Sequence, residues 1–85
     1  MYGHALEAIQ ASGQTPAFFL DKHAAGDWGE VCKGDAALND QALLDGERLV
    51  SAYRTLKGVK LWVITEATDD DGIRASTSII LPEQY

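Results

Sequence analysis

Eighty-five residues, 46% of them apolar and 24% charged, with a formal net charge of −6, have the composition of one small globular domain and leave no room for a second. Such a chain buries roughly 60–65% of the surface its unfolded form exposes, and no apolar run approaches the roughly 18 residues that a membrane span needs. One cysteine, Cys32, excludes an internal disulfide, and with only two histidines it excludes a four-ligand structural zinc site. Met1 is not followed by a basic region and an apolar stretch, so no secretory signal is expected, and the expected compartment is the cytoplasm.

Glycines at 13, 26, 34 and 46 each close a segment of helical composition, where a left-handed residue is wanted. Residues 4–12 predict a short helix with Leu6 and Ile9 on one face. Thr15-Pro16 is a start signal, a hydroxyl cap before a proline at the first helical position. The helix it opens runs to about Ala25 and is expected to bury Phe19, Leu20, Ala24 and part of His23. Asp27 with Glu30 predicts one capped turn through Val31. Asp35 is placed to cap a helix over 36–45, with Leu38, Ala42 and Leu43 on its apolar stripe.

After Gly46 the period changes to two. Strands are expected over 48–55, 61–66 and 73–81, separated by the hairpin signals Lys57-Gly58 and Asp71-Gly72 and stopped by Pro82. The expected class is therefore α+β: a single domain over 1–85, with short N-terminal helices over 1–46 packed on one face of a three-stranded antiparallel meander over 47–85. Such a sheet leaves two edges, and an edge without protective charge invites a homodimer. The Arg74 to Ile80 strand is the better candidate for that pairing.

Charge is uneven along the chain. Residues 1–46 carry seven acids against Lys22 and Lys33, a balance of −5, whereas 47–85 carry six acids against five bases. An acidic front half speaks against direct nucleic-acid binding by that surface, where affinity comes from Lys and Arg neutralising phosphates. It suits solubility or a basic partner.

Two constellations have the residue types that chemistry needs. His23 falls on the last turn of a helix, where the dipole favours its charged form, beside Asp27 and Trp28 in a turn flanked by Gly26 and Gly29. A carboxylate orienting an imidazole is the pairing of a general base or acid. The plainer account has Asp27 capping a turn, Trp28 plugging the core and His23 half-buried. The second constellation is Arg48, Ser51, Tyr53 and Arg54 on one strand with Thr65 and Glu66 on the next. With His23 these are the base, phosphate-holding and orienting groups of a small ribonuclease; otherwise they form a polar, solvated sheet face. Asp69-Asp70-Asp71-Gly72 lacks the alternate spacing and distant Glu of a calcium loop and is read as a hairpin tip, so no metal or cofactor is expected. Cys32 beside Lys33 is read as a small, passive apolar residue.

An ordered set of residues also resembles a group of short bacterial proteins from plasmids, phages and genomic islands, labelled "plasmid-related protein" or "type I restriction endonuclease subunit M". The set is His23 with Gly26-Asp27-Trp28-Gly29, then Asp35, Asn39, Gly46, Arg48, Ser51 and Tyr53, then 61–67 (LWVITEA) and 81–85 (LPEQY). The loop at 67–75 departs from the pattern in being longer and more acidic. A methyltransferase subunit needs a glycine-rich strand–helix turn and an Asn/Asp-Pro-Pro-aromatic loop, and neither is present. What the resemblance implies is genomic company, mobile elements beside restriction, CRISPR or toxin systems. The leading expectation is thus an acidic mobile-element protein that binds and inhibits a host defence protein, a CRISPR-Cas or restriction component, with Asp27, Trp28, Glu30, Asp35 and Asp40 as its contact residues. The alternative is a ribonuclease-like or phosphotransfer enzyme using His23 with Arg48, Ser51, Tyr53 and Thr65.

Overall fold

The computed structural model describes residues 3–74 and 76–84, and their architecture is α+β. Helices α1 (Gly3–Ala11), α2 (Pro16–Ala24) and α3 (Lys33–Asp45) precede strands β1 (Leu49–Arg54), β2 (Lys60–Thr65) and β3 (Thr77–Ile80), and a 3-10 turn covers Pro82–Gln84. The strands form one antiparallel sheet in the order β1-β2-β3, with Ser51 opposite Val63 and Val63 opposite Ile79. Strand alternation sends Ser51, Tyr53, Leu61, Val63, Thr65 and Ile79 to one face. Ala5 and Ile9 of α1 and Phe19 of α2 join Tyr53, Leu61, Val63 and Ile79 in the main core. The helices thus cover one face of the sheet, and Phe19 meets Tyr53 at 5.8 Å between ring centroids. None of the described helices is long and apolar enough to cross a membrane.

Several local expectations are corrected. Thr15 is extended, as the residue before a helix should be, and Pro16 opens α2, but the Thr15 hydroxyl makes no capping bond. Ala24 is exposed rather than buried. The third helix begins earlier than the sequence suggests, with Cys32 as its cap: the Sγ accepts the Asp35 N–H at 3.5 Å, so Asp35 lies in the first turn. Gly34 therefore sits inside α3 and closes nothing, whereas Gly46 ends that helix in the left-handed region at φ 77°.

The helix also turns a different face inward. Of the expected stripe only Ala42 is buried; Leu38 and Leu43 are exposed, and Asn39 takes the inward position. Its amide explains the choice. Nδ2–H donates to the Val50 carbonyl at 2.7 Å and Oδ1 accepts the Val50 N–H at 3.1 Å, so one side chain satisfies both outward backbone groups of an edge-strand residue.

The segment expected to form a capped turn over 27–31 is extended instead. Trp28 C=O accepts from Ala52 N–H and Glu30 N–H donates to Ala52 C=O, making a parallel bridge along the outer edge of β1. Asp27 Oδ1 accepts the Gly29 N–H, which bends the chain into that bridge. Gly29 has φ +72° and passes so close to β1 that a Cβ would lie 2.0 Å from the Ala52 oxygen.

β3 is shorter than the alternation over 73–81 implies. Asp69 holds the preceding loop to itself, its Oδ1 accepting from the Asp71 and Ile73 N–H groups. Arg74 forms an isolated antiparallel bridge with Thr68 instead of extending β3, and its guanidinium donates to the carbonyls of Glu47, Glu66 and Ala42. Ala75, which the alternation also placed on that strand, and Tyr85 of the resemblance lie outside the described residues. β3 itself keeps four residues, and Ile79 at its centre is 1% exposed, with α1 packed alongside.

Two substitutions test the β1 edge. Asn39→Ala strands the Val50 donor and acceptor and is expected to cost about 2–4 kcal/mol in urea unfolding; a loss under about 0.5 kcal/mol would show that Asn39 does not hold the edge. Gly29→Ala should cost several times more than Gly58→Ala, because both have positive φ but nothing lies within 4 Å of a Cβ at Gly58. Equal unfolding midpoints for the two variants would contradict the close approach.

Candidate functional site

Three sequence-singled residues from three elements meet under the helices. His23, on the last turn of α2, is 7% exposed; its Nδ1 lies 2.5 Å from Ser51 Oγ of β1 and its Nε2 lies 2.8 Å from Thr65 Oγ1 of β2. Thr65 Oγ1 is in turn 2.8 Å from Thr77 Oγ1 of β3. The imidazole is packed edge-on against the Trp28 indole, 5.6 Å between centroids. Ser51 and Thr65 share the helix-covered face of the sheet, so the polar patch is an interior feature rather than a solvated face.

Tyr53 O–H donates to the Asp27 carbonyl. A neutral imidazole has one donor and one acceptor nitrogen, so His23 donates to one of its two hydroxyl partners and accepts from the other, and the Thr65–Thr77 hydroxyl pair continues the series. Among the described residues, every buried side-chain nitrogen and oxygen has a partner.

Electrostatics agree with the neutral form. Burial lowers the His23 pKa below its ordinary value of 6.5, and the Arg74 charge lowers it further. The helix C-terminus, expected to favour the cation, is outweighed by desolvation. Burial raises the Tyr53 pKa above its usual value; the Ser51 hydrogen bond opposes this and the Asp27 charge adds to it.

The other predicted residues fall elsewhere. Asp27 does not orient His23: its carboxylate accepts from Gly29 N–H and pairs with Lys22 at 3.5 Å, and only its carbonyl joins the network, through Tyr53. Trp28 is 6% exposed, in a second core cluster with Ala42 and Leu49, and its Nε1–H donates to Asp40 at 3.0 Å. Its burial matches the plainer account, in which Trp28 plugs the core, and leaves little of the indole exposed for the contact role expected from sequence. Glu30 pairs with Arg54, an Nε to Oε1 distance of 2.6 Å. Asp35 is exposed, and so is Arg48 at the residue before β1. The guanidinium whose field reaches His23 is that of Arg74. The sequence placed Asn39 in the resemblance set and Arg74 at the start of a strand but assigned neither side chain a role. For Asn39 a signal existed: Ala36 and Ala42 three residues to either side make a narrow stripe that lets a helix approach a strand. For Arg74, within an acidic loop, there was none.

Chemically, a serine hydroxyl against an imidazole is the beginning of an activated nucleophile. Here the orienting partner of the imidazole is a threonine hydroxyl rather than a carboxylate, and Ser51 is 0% exposed. A substrate cannot reach it without separating α2 from the sheet. No group of three His, Cys, Asp or Glu among the described residues is placed to hold a metal ion.

The buried histidine makes the fold sensitive to acid. With the folded pKa depressed, the unfolded chain takes up the proton first, so stability is complete above about pH 6.5 and falls as pH drops through the lower folded value. The urea midpoint should decline between pH 7.5 and 5.5 in the wild type and decline less in His23→Gln; parallel declines would refute a neutral buried His23. At pH 7.5, His23→Ala is expected to cost about 2–4 kcal/mol through the lost packing and the stranded hydroxyls.

The chain matches no protein-family model. Comparison with curated proteins and with solved structures finds no significant match.

Proposed function

We propose that this chain is a small acidic protein-binding module that contacts a basic partner through the outer face of α3. The observation that carries the reading is the inversion of that helix. Asn39 is buried at 5% exposure, while Leu38, Leu43 and Leu44 are 68%, 54% and 82% exposed. Helices normally bury their leucines, and each leucine covered by a partner contributes about 1.5–3 kcal/mol. Asp35, Asp40 and Asp45 are exposed on the same helix, in a half of the chain that carries a balance of −5. Leu44 lies opposite the inward Asn39 and Ala42, with Leu38 and Leu43 on either flank, and these exposed leucines interspersed with carboxylates complement a basic surface, the charge steering encounter and the leucines supplying affinity.

The resemblance to mobile-element proteins points to the partner class, a nucleic-acid-handling component of a restriction or CRISPR-Cas system whose basic channel the module would occupy and inhibit. Of the contact residues expected from sequence, Asp35 and Asp40 belong to this helix. Asp27 and Glu30 are engaged with Lys22 and Arg54. The rival enzyme reading needs His23, Ser51 and Thr65 to share an open cleft with Arg48, and all but Arg48 face inward.

The test is restriction and CRISPR interference in cells expressing the protein, with phage plating as readout, alongside co-elution with the purified effector. Leu38→Asp/Leu44→Asp, both at exposed positions, should abolish protection and weaken binding about 100-fold, and binding by the wild type should fall with rising salt. Unchanged plating in every system tried, with no co-elution, would sink the proposal. RNA cleavage by the wild type that is lost in Ser51→Ala would transfer the assignment to the enzyme.

A further inference from the structure

The outer edge of β1 has an almost complete account of its hydrogen bonds. The bonds of Ala52 to the 28–30 segment show that even-numbered residues point outward, so the outward rungs are Val50, Ala52 and Arg54. Val50 is satisfied by the Asn39 amide and Ala52 by the backbone of Trp28 and Glu30. Past the end of the strand, Gln14 Oε1 accepts the Leu56 N–H at 2.9 Å. Arg54 is the exception. At Glu30 the crossing segment leaves the edge toward α3, and the outward N–H and C=O of Arg54 have no protein partner among the described residues.

A trough lies at that rung. Two concavities of about 360 and 320 Å³ share Gln14, Phe18 and Leu56, and the second extends along Ala52, Tyr53 and Arg54. Phe18 and Leu56, 47% and 81% exposed, are large apolar side chains on its walls. Phe18 is held in place, its ring edge-on to Phe19 at 5.1 Å and the Lys22 ammonium 5.2 Å from its centroid. An unpaired main-chain donor and acceptor beside a side-chain-sized apolar pocket is the arrangement that strand addition uses: backbone bonds supply affinity, and the pocket selects a side chain.

We infer that this trough binds an extended peptide segment of a partner protein, which pairs with the Arg54 backbone N–H and C=O and places a bulky apolar side chain between Phe18 and Leu56. The site is separate from the outer face of α3 and does not depend on it. The occupant is a peptide rather than a small apolar ligand because the open rung is matched by one backbone donor and one backbone acceptor. The native 28–30 segment shows that this edge accepts a strand.

The free chain gives the first readout. In amide hydrogen exchange, the Arg54 N–H should exchange at least about tenfold faster than that of Ala52; equal protection would overturn the inference. The full chain is then panned against a displayed library of random dodecapeptides, and the enriched sequence is synthesised. Its titration should protect the Arg54 amide and shift Phe18 and Leu56. Affinity should drop about tenfold or more in Phe18→Ala, in Leu56→Asp and on N-methylation of one peptide amide. Leu56→Asp guards against a folding defect in Phe18→Ala, because Leu56 is almost fully exposed. Leu38→Asp/Leu44→Asp should leave peptide affinity unchanged, so this site and the α3 surface fail independently. No enrichment, or peptides that bind without protecting Arg54, would refute strand addition.

Discussion

A three-stranded sheet with no neighbour beyond β1 must satisfy the outward backbone groups of that edge, and most of this structure follows from how it does so. Among the described residues no fourth strand lies there, and substitutes serve instead: an asparagine amide from α3 at Val50, two backbone groups of a bent segment at Ala52, and a glutamine carbonyl past the strand's end at Leu56. The first two have consequences elsewhere. To deliver Asn39 the helix must turn that side inward, which leaves Leu38 and Leu44 facing solvent. To lay Trp28 and Glu30 along the strand the backbone must approach it at Gly29, where only a glycine fits. That approach also carries the Trp28 indole into the core, against His23 and over Ala42 and Leu49.

Beneath the helices the same economy of polar groups operates. Four side chains from three strands and the last turn of α2 share a short series of hydrogen bonds in which His23 is neutral and each buried polar atom is engaged. Such a network specifies register: sliding β2 by one residue against β1 would turn Thr65 away and leave the imidazole without one of its two hydrogen bonds. His23 therefore ties α2 to the sheet, and its presence among residue types familiar from catalysis reflects this interior role as readily as a reactive one. The inaccessibility of Ser51 is what separates the two.

Because the edge is closed by substitutes rather than by a strand, the surface carries two kinds of unfinished contact. One is the outer side of α3, where exposed leucines alternate with carboxylates. The other is the trough at Arg54, where the substitution is incomplete. Their chemistries differ, one matching the basic partner proposed above and the other an extended backbone, and they lie on different elements. Both proposed contacts are compatible with an interior in which, among the described residues, every buried side-chain nitrogen and oxygen is hydrogen-bonded.

Most of the fold was legible in the sequence because its signals are local. Thr15-Pro16, Gly46, the change of hydrophobic period after residue 46, Lys57-Gly58 and Pro82 each act within a few residues of themselves, and they determine the order of elements and the α+β class. Ser51 and Tyr53 on one face follow equally from strand alternation. What the tertiary structure decided were the long-range partners: that Asn39 rather than Leu38 faces inward, that 27–31 runs as an edge segment rather than a turn, that Asp27 serves Gly29 and Tyr53 while Ser51 and Thr65 hold His23, and that Arg74 bridges Thr68 and sends its guanidinium to the carbonyls of Glu47, Glu66 and Ala42 instead of extending β3. In each case a backbone or buried polar group far along the chain needed a hydrogen-bond partner. The cost of leaving it unpaired exceeded the local preference, a cost that appears only when the distant segments are brought together.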